Sequence, residues 1–151
     1  MKSKAFIGID PGKTGAAALI TADGTHEILD YPGDPSLIVE TFRGWLLNHE
    51  IVMAALEKVG ARPGQGVVSM FTFGRNLGAW EGIISAFSMP FMMPTPRQWQ
   101  KGIIDQKAGG DSKERSLNTA RRLFPDASLS RKKDHGRSDA LLLAWWARRQ
   151  T

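Results

Sequence analysis

Apolar residues follow two rhythms along this chain, one of strands and one of helices. Phe6-Ile7-Gly8-Ile9 is apolar up to Asp10, the chain turns through Pro11-Gly12-Lys13-Thr14-Gly15, and Ala16-Ala17-Ala18-Leu19-Ile20 follows. The first run is hydrophobic on both faces, which predicts a covered central strand over 4–10 and a second strand over 15–21. Asp23-Gly24 is a hairpin signal and places a third strand over Thr25–Leu29, closed by Tyr31-Pro32-Gly33. Asp34 before Pro35 has the form of a helix N-cap with proline at the first helical position. Leu37, Ile38, Thr41, Phe42, Trp45 and Leu46 then recur every three or four residues and predict a helix over Ser36–Asn48. Ile51–Glu57 is a fourth apolar run, and it too ends on an acid.

A basic loop, 58–66, leads into a long helix predicted over Val67–Phe87, with Val68, Phe71, Leu77, Trp80, Ile83, Ile84 and Phe87 at helical spacing. Gly74, Gly78 and Gly82 recur at every fourth position, a stripe that lets another element approach closely, within the core or across a dimer. Phe91–Met93 reads as a short fifth strand stopped by Pro94-Thr95-Pro96, and Thr95 caps a short helix over Arg97–Ile103. A loop with Gly109-Gly110 precedes a helix over Ser112–Phe124, with Ser112 as its cap. The tract Ser130–Arg137 reads as a basic loop, and the last helix is predicted over Ser138–Arg149. Asp139 lies in its first turn, where the helix dipole favours an acid. The stretch Ala140–Ala147 is so apolar that it must be buried, and its burial presses Asp139 against the sheet.

Three strands, a helix and a fourth strand suggest an antiparallel meander joined to a parallel strand. If the fourth strand lies beside the first, Asp10 and Glu57 emerge at the same end of neighbouring strands. Asp10, Glu57 and Asp139, with His135 or Asp134 nearby, then form an acidic cluster drawn from distant segments. Phosphodiester hydrolysis by a pair of cations ~4 Å apart needs such a set, because carboxylates supply the charge that holds both ions. Mg²⁺ prefers oxygen ligands and keeps several waters, so few protein groups are required. Each acid has an ordinary reading as well: Asp10 as a turn residue, Glu57 as a partner of Lys58 or Arg62, Asp139 as a helix cap.

Composition narrows the choice. The length of 151 residues, 42% apolar and 23% charged, is that expected for one globular domain spanning 1–151. The chain has no cysteine, which excludes thiolate metal sites and a cysteine nucleophile and suggests an intracellular setting. Its N-terminal apolar run is too short for a signal peptide core or a membrane span, so a cytoplasmic protein with no membrane partner is expected. The net charge of +5 is unevenly spread. Residues 1–57 carry four Lys and Arg against eight Asp and Glu, and residues 58–151 carry sixteen against seven. A basic second part joined to an acidic first part suits a polyanion-binding protein that also holds a metal.

Gly8-Ile9-Asp10-Pro11-Gly12, Ala55-Leu56-Glu57-Lys58-Val59, Gly74-Arg75-Asn76-Leu77-Gly78, Pro96-Arg97-Gln98 and Ser138-Asp139-Ala140-Leu141 stand in that order along the chain. Together they resemble the motifs of the RuvC family of Holliday junction resolvases, within the RNase H-like nucleases, and most of all its shorter phage-type members. The resemblance implies an α/β fold, an RNase H-like five-stranded mixed sheet with helices on both faces. It implies a homodimer that binds a four-way DNA junction in recombination or repair and cuts two opposing strands. It implies two Mg²⁺ ions per active site, with Mn²⁺ able to substitute, held by Asp10, Glu57 and Asp139, in a bacterial or phage-infected cell. Lys113 matches a family lysine that supports phosphate binding or catalysis. Candidate DNA contacts are Lys58, Arg62, Phe73, Arg75, Arg97, Lys101, Lys107, Lys113, Arg131, Lys132, Lys133 and Arg137.

Three positions depart from the family pattern. Gly136 stands where an acid or histidine is usual, so His135 or Asp134 is the candidate fourth ligand. Gln100 stands at a second family lysine, with Lys101 beside it. Lys58-Val59-Gly60 replaces the aromatic wedge after the second motif, with Phe71 or Phe73 as substitutes. A non-cleaving branched-DNA binding protein and a nuclease preferring flaps or forks are the alternatives. The turn Gly8–Gly15 also resembles the phosphate turn of actin-like ATPases, but that fold needs a second lobe for which this length leaves no room.

Overall fold

The computed structural model describes residues 1–151. The sheet is built outward from β1 (Ser3–Asp10), whose residues from Ala5 to Ile9 are all buried. β2 (Ala16–Thr21) folds back antiparallel to it, pairing Asp10 with Ala16 and Ala5 with Thr21. β3 (His26–Asp30) continues the meander at the edge. α1 (Pro35–Asn48) starts where the proline pattern places it, and Asp34 caps it by accepting from the Ser36 N–H at 2.9 Å. The chain then returns through β4 (His49–Leu56), which lies parallel to β1 with Ile9 beside Leu56. α2 (Val67–Ala86) leads to the two-residue β5 (Phe91–Met92), and the strand order is β3-β2-β1-β4-β5. α3 (Pro96–Gln100) opens with a Thr95/Gln98 capping box. α4 (Ser112–Leu123) and α5 (His135–Arg149) complete the chain, with a 3₁₀ turn over Lys132–Asp134.

Alternation along β1 explains the two layers. Ala5, Ile7 and Ile9 face one side, with Ala17, Leu19, Ala54 and Leu56, and are covered by Ile38, Phe42 and Trp45 of α1 and Trp80 and Ile84 of α2. Phe6 faces the other side, with Ala18, Ile20 and Ala55, and is covered by α4 and by Leu141, Leu143 and Ala144 of α5. The sheet is therefore mixed and covered on both faces, as the resemblance implies. No helix is long and apolar enough to cross a membrane.

Gly8 decides how closely α5 docks. A Cβ at that position would lie 2.0 Å from the Ala140 carbonyl oxygen and 2.2 Å from the Ala144 nitrogen. Only a glycine lets the helix backbone rest on the central strand. A second close approach occurs at Gly136, where a Cβ would lie 2.1 Å from the Thr14 carbonyl oxygen and 3.0 Å from Gly15 Cα. The first turn of α5 thus sits against the β1–β2 turn.

Three sequence expectations need correction. The last helix begins at His135, three residues earlier than predicted, so Asp139 occupies its second turn and is no cap. The charged tract before it looks like a loop in sequence, but Asp134 folds back on the Arg131 N–H and coils it into the helix. α4 is capped by Asp111, which accepts from the Glu114 N–H at 2.9 Å, and Ser112 is its first helical residue. The third correction concerns α2: Val67, Val68 and Phe71 are 83%, 79% and 73% exposed. Helical spacing shows a face but not what covers it, and only the second half of α2 reaches the core, through Trp80 and Ile84.

Gly8→Ala is expected to destabilise the fold by about 3 kcal/mol, because the obstacle is helix backbone that cannot rotate away. Urea denaturation measures this, and a loss under ~1 kcal/mol would show that α5 has room to shift.

Candidate active site

The ends of β1 and β4 and the start of α5 meet at one edge of the sheet. Asp10 closes β1, and its Oδ1 accepts the Gly12 N–H at 3.0 Å, which fixes the carboxylate over its own turn. Glu57 is the first residue after β4; its N–H donates to the Ile9 carbonyl at 3.1 Å, so it extends the pairing beside Asp10. Its Oε2 accepts the indole N–H of Trp99 at 2.5 Å. Asp139 arrives on α5 because that helix rests on Gly8, and its Oδ1 accepts from Ser116 Oγ of α4 at 2.5 Å. Ser116 Oγ lies 2.8 Å from Ser138 Oγ, which in turn donates to the His135 carbonyl at 2.8 Å.

The three acids repel each other. Burial, then the charge of Asp10, pushes the Glu57 carboxyl up to about 7, against the Trp99 hydrogen bond and the charge of Arg62. Burial, then Asp10, pushes Asp139 up to about 8; Glu57 adds to this, and Ser116 and Lys113 oppose it. Burial also raises Asp10, against the Gly12 N–H and the charge of His135.

Such a site fits a divalent cation. It gathers oxygen donors and negative charge, and none of the three acids has an ion-pair partner. One oxygen of each accepts a protein hydrogen bond, while Asp10 Oδ2, Glu57 Oε1 and Asp139 Oδ2 accept none and are not sealed from solvent. No three His, Asp or Glu side chains close on one point as a ready-made cage. Mg²⁺ needs only one or two carboxylates because it retains water.

Of the two candidates for a fourth ligand, Asp134 is occupied elsewhere. It is buried, and its oxygens accept from Arg131 Nη2 at 2.8 Å, Arg131 Nε at 3.1 Å and the Arg131 backbone N–H at 2.8 Å. Burial alone would raise its carboxyl, but these bonds outweigh it and hold the group below the usual range. His135 is the neighbour whose charge reaches Asp10. The glycine at 136 follows from its contact with Thr14, which leaves no volume for an acid there.

The proposed DNA contacts divide into free and engaged groups. Lys58, Arg62, Arg75, Arg97, Lys101, Lys107, Lys113, Lys132 and Lys133 are exposed. Of these, Lys113 and Arg62 are close enough to register on Asp139 and Glu57. Arg137 is engaged in the fold: it grips Asp30 at the end of β3 through two bonds of 2.7 Å and donates to the Ser128 carbonyl at 3.0 Å. Arg131 is tied to Asp134. Phe73 is half-buried, whereas Phe71 projects into solvent.

No family model matches the chain. The chain is 36% identical over 87 residues to the chloroplastic Holliday junction resolvase MOC1 of Chlamydomonas reinhardtii. That alignment spans 56% of this chain and 10% of the relative. Thermus thermophilus RuvC in complex with a Holliday junction substrate superposes with a TM-score of 0.63 at 16% identity, covering 95% of this chain and 91% of that one. Another Thermus thermophilus RuvC structure gives 0.60 at 18%, covering 94% and 92%. The chain has the RuvC fold. The RNase H-like mixed sheet expected from its motifs is therefore the sheet it forms.

Sequence reasoning missed Trp99, Ser116 and Ser138. The Thr95/Gln98 capping box marks the helix that carries Trp99, but a buried tryptophan reads as core unless its N–H is traced to an acceptor. Ser116 and Ser138 have no signal beyond being polar on the buried faces of helices.

Between about pH 4 and pH 8 the folded, metal-free chain binds more protons at Glu57 and Asp139 than the unfolded chain does, so its stability falls as pH rises. Asp139→Asn is expected to raise the metal-free melting temperature near pH 8 and to leave it almost unchanged near pH 4. Mg²⁺ is expected to raise the wild-type melting temperature near pH 8 and that of the variant by less, as scanning calorimetry will show.

Proposed function

We propose that this chain is a divalent-cation-dependent endonuclease that acts as a homodimer and resolves four-way DNA junctions. The observation that carries this reading is the convergence of Asp10, Glu57 and Asp139, from three distant elements, at one end of the sheet with none of them in an ion pair. Identity to a relative named as a Holliday junction resolvase supports it, and so does the likeness to a RuvC structure that contains a junction.

Asp10, Glu57 and Asp139 hold the ions, and His135 stands beside Asp10 as a further ligand or proton carrier. When bound, a pair of Mg²⁺ or Mn²⁺ ions supplies Lewis acidity toward the scissile phosphate and lowers the pKa of water. Lys113 places its ammonium near Asp139, where it offsets the phosphate charge as the strand enters. Lys58 and Arg62 follow Glu57 directly, and exposed Arg97, Lys101 and Lys107 lie on the helix that carries Trp99 or just after it. These groups contact phosphates and set affinity without reading sequence. Exposed Phe71 on the free half of α2 is suited to stack on unpaired bases at the branch point.

Dimer formation uses the open side of α2. Gly74, Gly78 and Gly82 have nothing within 4 Å of a notional Cβ. Gly78 and Gly82, with Val39 of α1, Ile83 and Phe87, line an apolar recess of about 480 Å³. A second copy of α2 fits such a small-residue face.

A synthetic four-way junction should be cut in Mg²⁺, in two opposing strands. Asp10→Asn is expected to lower the rate by ~10³-fold, about 4 kcal/mol of barrier, with junction binding in EDTA retained. Lys113→Ala is expected to lower it by ~10²-fold. Undiminished cutting by Asp10→Asn would refute the metal role, and binding without cutting in both Mg²⁺ and Mn²⁺ would favour the non-cleaving alternative.

A further inference from the structure

Two of the three acids are held by neutral side-chain donors, and both donors come from the stretch that follows β5. Trp99 on α3 donates to Glu57 Oε2 at 2.5 Å, in a contact buried at both ends. Ser116 on α4 donates to Asp139 Oδ1 at 2.5 Å, and its Oγ lies 2.8 Å from Ser138 Oγ. No lysine or arginine occupies either place. A cation there would orient the carboxylate equally well but would cancel the charge needed by a divalent ion. An indole N–H or a hydroxyl orients without neutralising. Trp99 cannot reverse its role, because indole nitrogen is only a donor, and its fully buried ring fixes the direction of the bond.

We propose that Trp99 and Ser116 are positioning residues: each pins one oxygen of an acid so that the other, Glu57 Oε1 or Asp139 Oδ2, is presented to a divalent cation. The proposal rests on the reading of this edge as a cation site. It assigns to a tryptophan that packs as core, and to a buried serine, a role in metal affinity rather than in stability alone. Neutral groups that orient metal-binding side chains typically change affinity by ~10–100-fold when removed.

Trp99→Phe keeps the ring and removes the N–H, Ser116→Ala removes the hydroxyl, and Ser116→Thr restores it. For each, the Mg²⁺ concentration giving half of the maximal rise in melting temperature is measured without DNA. The half-saturating Mg²⁺ for junction cutting is measured in parallel, with melting temperature and junction binding in EDTA as references. Trp99→Phe and Ser116→Ala are expected to raise both Mg²⁺ midpoints by ~10-fold or more, with cutting largely recovered at saturating Mg²⁺. Ser116→Thr should stay within ~3-fold of the wild type. Unchanged midpoints, however much the rate or the EDTA melting temperature falls, would show a merely structural role and overturn the proposal. If Trp99→Phe does not fold, Ser116→Ala against Ser116→Thr decides alone. A wild-type chain that neither gains stability from Mg²⁺ or Mn²⁺ nor cuts the junction would instead remove the cation site itself, and this inference with it.

Discussion

The contact between the backbone of α5 and Gly8 is the constraint on which the rest depends. Helices ordinarily pack on sheets through side chains. Here a missing Cβ at the centre of β1 lets Ala140 and Ala144 of the helix touch the strand itself. That approach brings Asp139, one residue before Ala140, down to the level of the strand ends. With a bulkier residue at position 8 the helix would ride higher, and its acid would stand clear of Asp10 and Glu57. The second glycine contact, Gly136 against Thr14, sets the other end of the same docking. It also excludes a side chain from the position where the family carries its fourth ligand.

The docking gathers negative charge that the protein itself does not balance. Burial raises all three carboxyl groups, and repulsion adds to it at Glu57 and Asp139; an amide, an indole and a hydroxyl oppose this, with the more distant charges of His135, Arg62 and Lys113. The fold could have placed arginines there. It does so a short distance away, where Arg131 holds Asp134 and Arg137 holds Asp30. Those two pairs are settled by their own charges and anchor the start of α5 to its flanking loop and to β3. The site acids are left unsettled, which is the state a divalent cation can exploit.

The cationic residues divide in a similar way. Arg131 and Arg137 lie in the basic tract that reads in sequence as one uniform nucleic-acid patch, yet both are engaged in the fold, while Lys132 and Lys133 beside them are exposed. A guanidinium fork matches a carboxylate geometrically and is drawn into such pairs, whereas a hydrated ammonium stays in solvent. The exposed charge is accordingly carried mostly by lysines, with Arg62, Arg75 and Arg97 on loops and helix faces where no acid forms an ion pair with them.

Local rules were enough for much of this protein. The doubly apolar run before Asp10, the Asp23-Gly24 turn, the Asp34-Pro35 start and the Pro94-Thr95-Pro96 stop determined most strands and helices, since each depends on residues a few positions apart. The order of strands and helix suggested that β4 is parallel, but its place beside β1, and with it the proximity of Asp10 and Glu57, was only a condition until the two strands paired. What tertiary structure decided was whatever depends on partners distant in sequence. Asp134 and His135 are adjacent and equally plausible as ligands, but only folding brings Arg131 onto the one and Asp10 beside the other. Phe71 and Trp80 share a helical pattern, but only the position of α2 relative to the sheet leaves the first in water and buries the second. Nothing local marks Trp99, Ser116 or Ser138 as a hydrogen-bonding partner in the site. A hydrogen bond across 42 residues, as between Trp99 and Glu57, is a property of the folded surface on which both ends lie, and no periodicity in the chain encodes it.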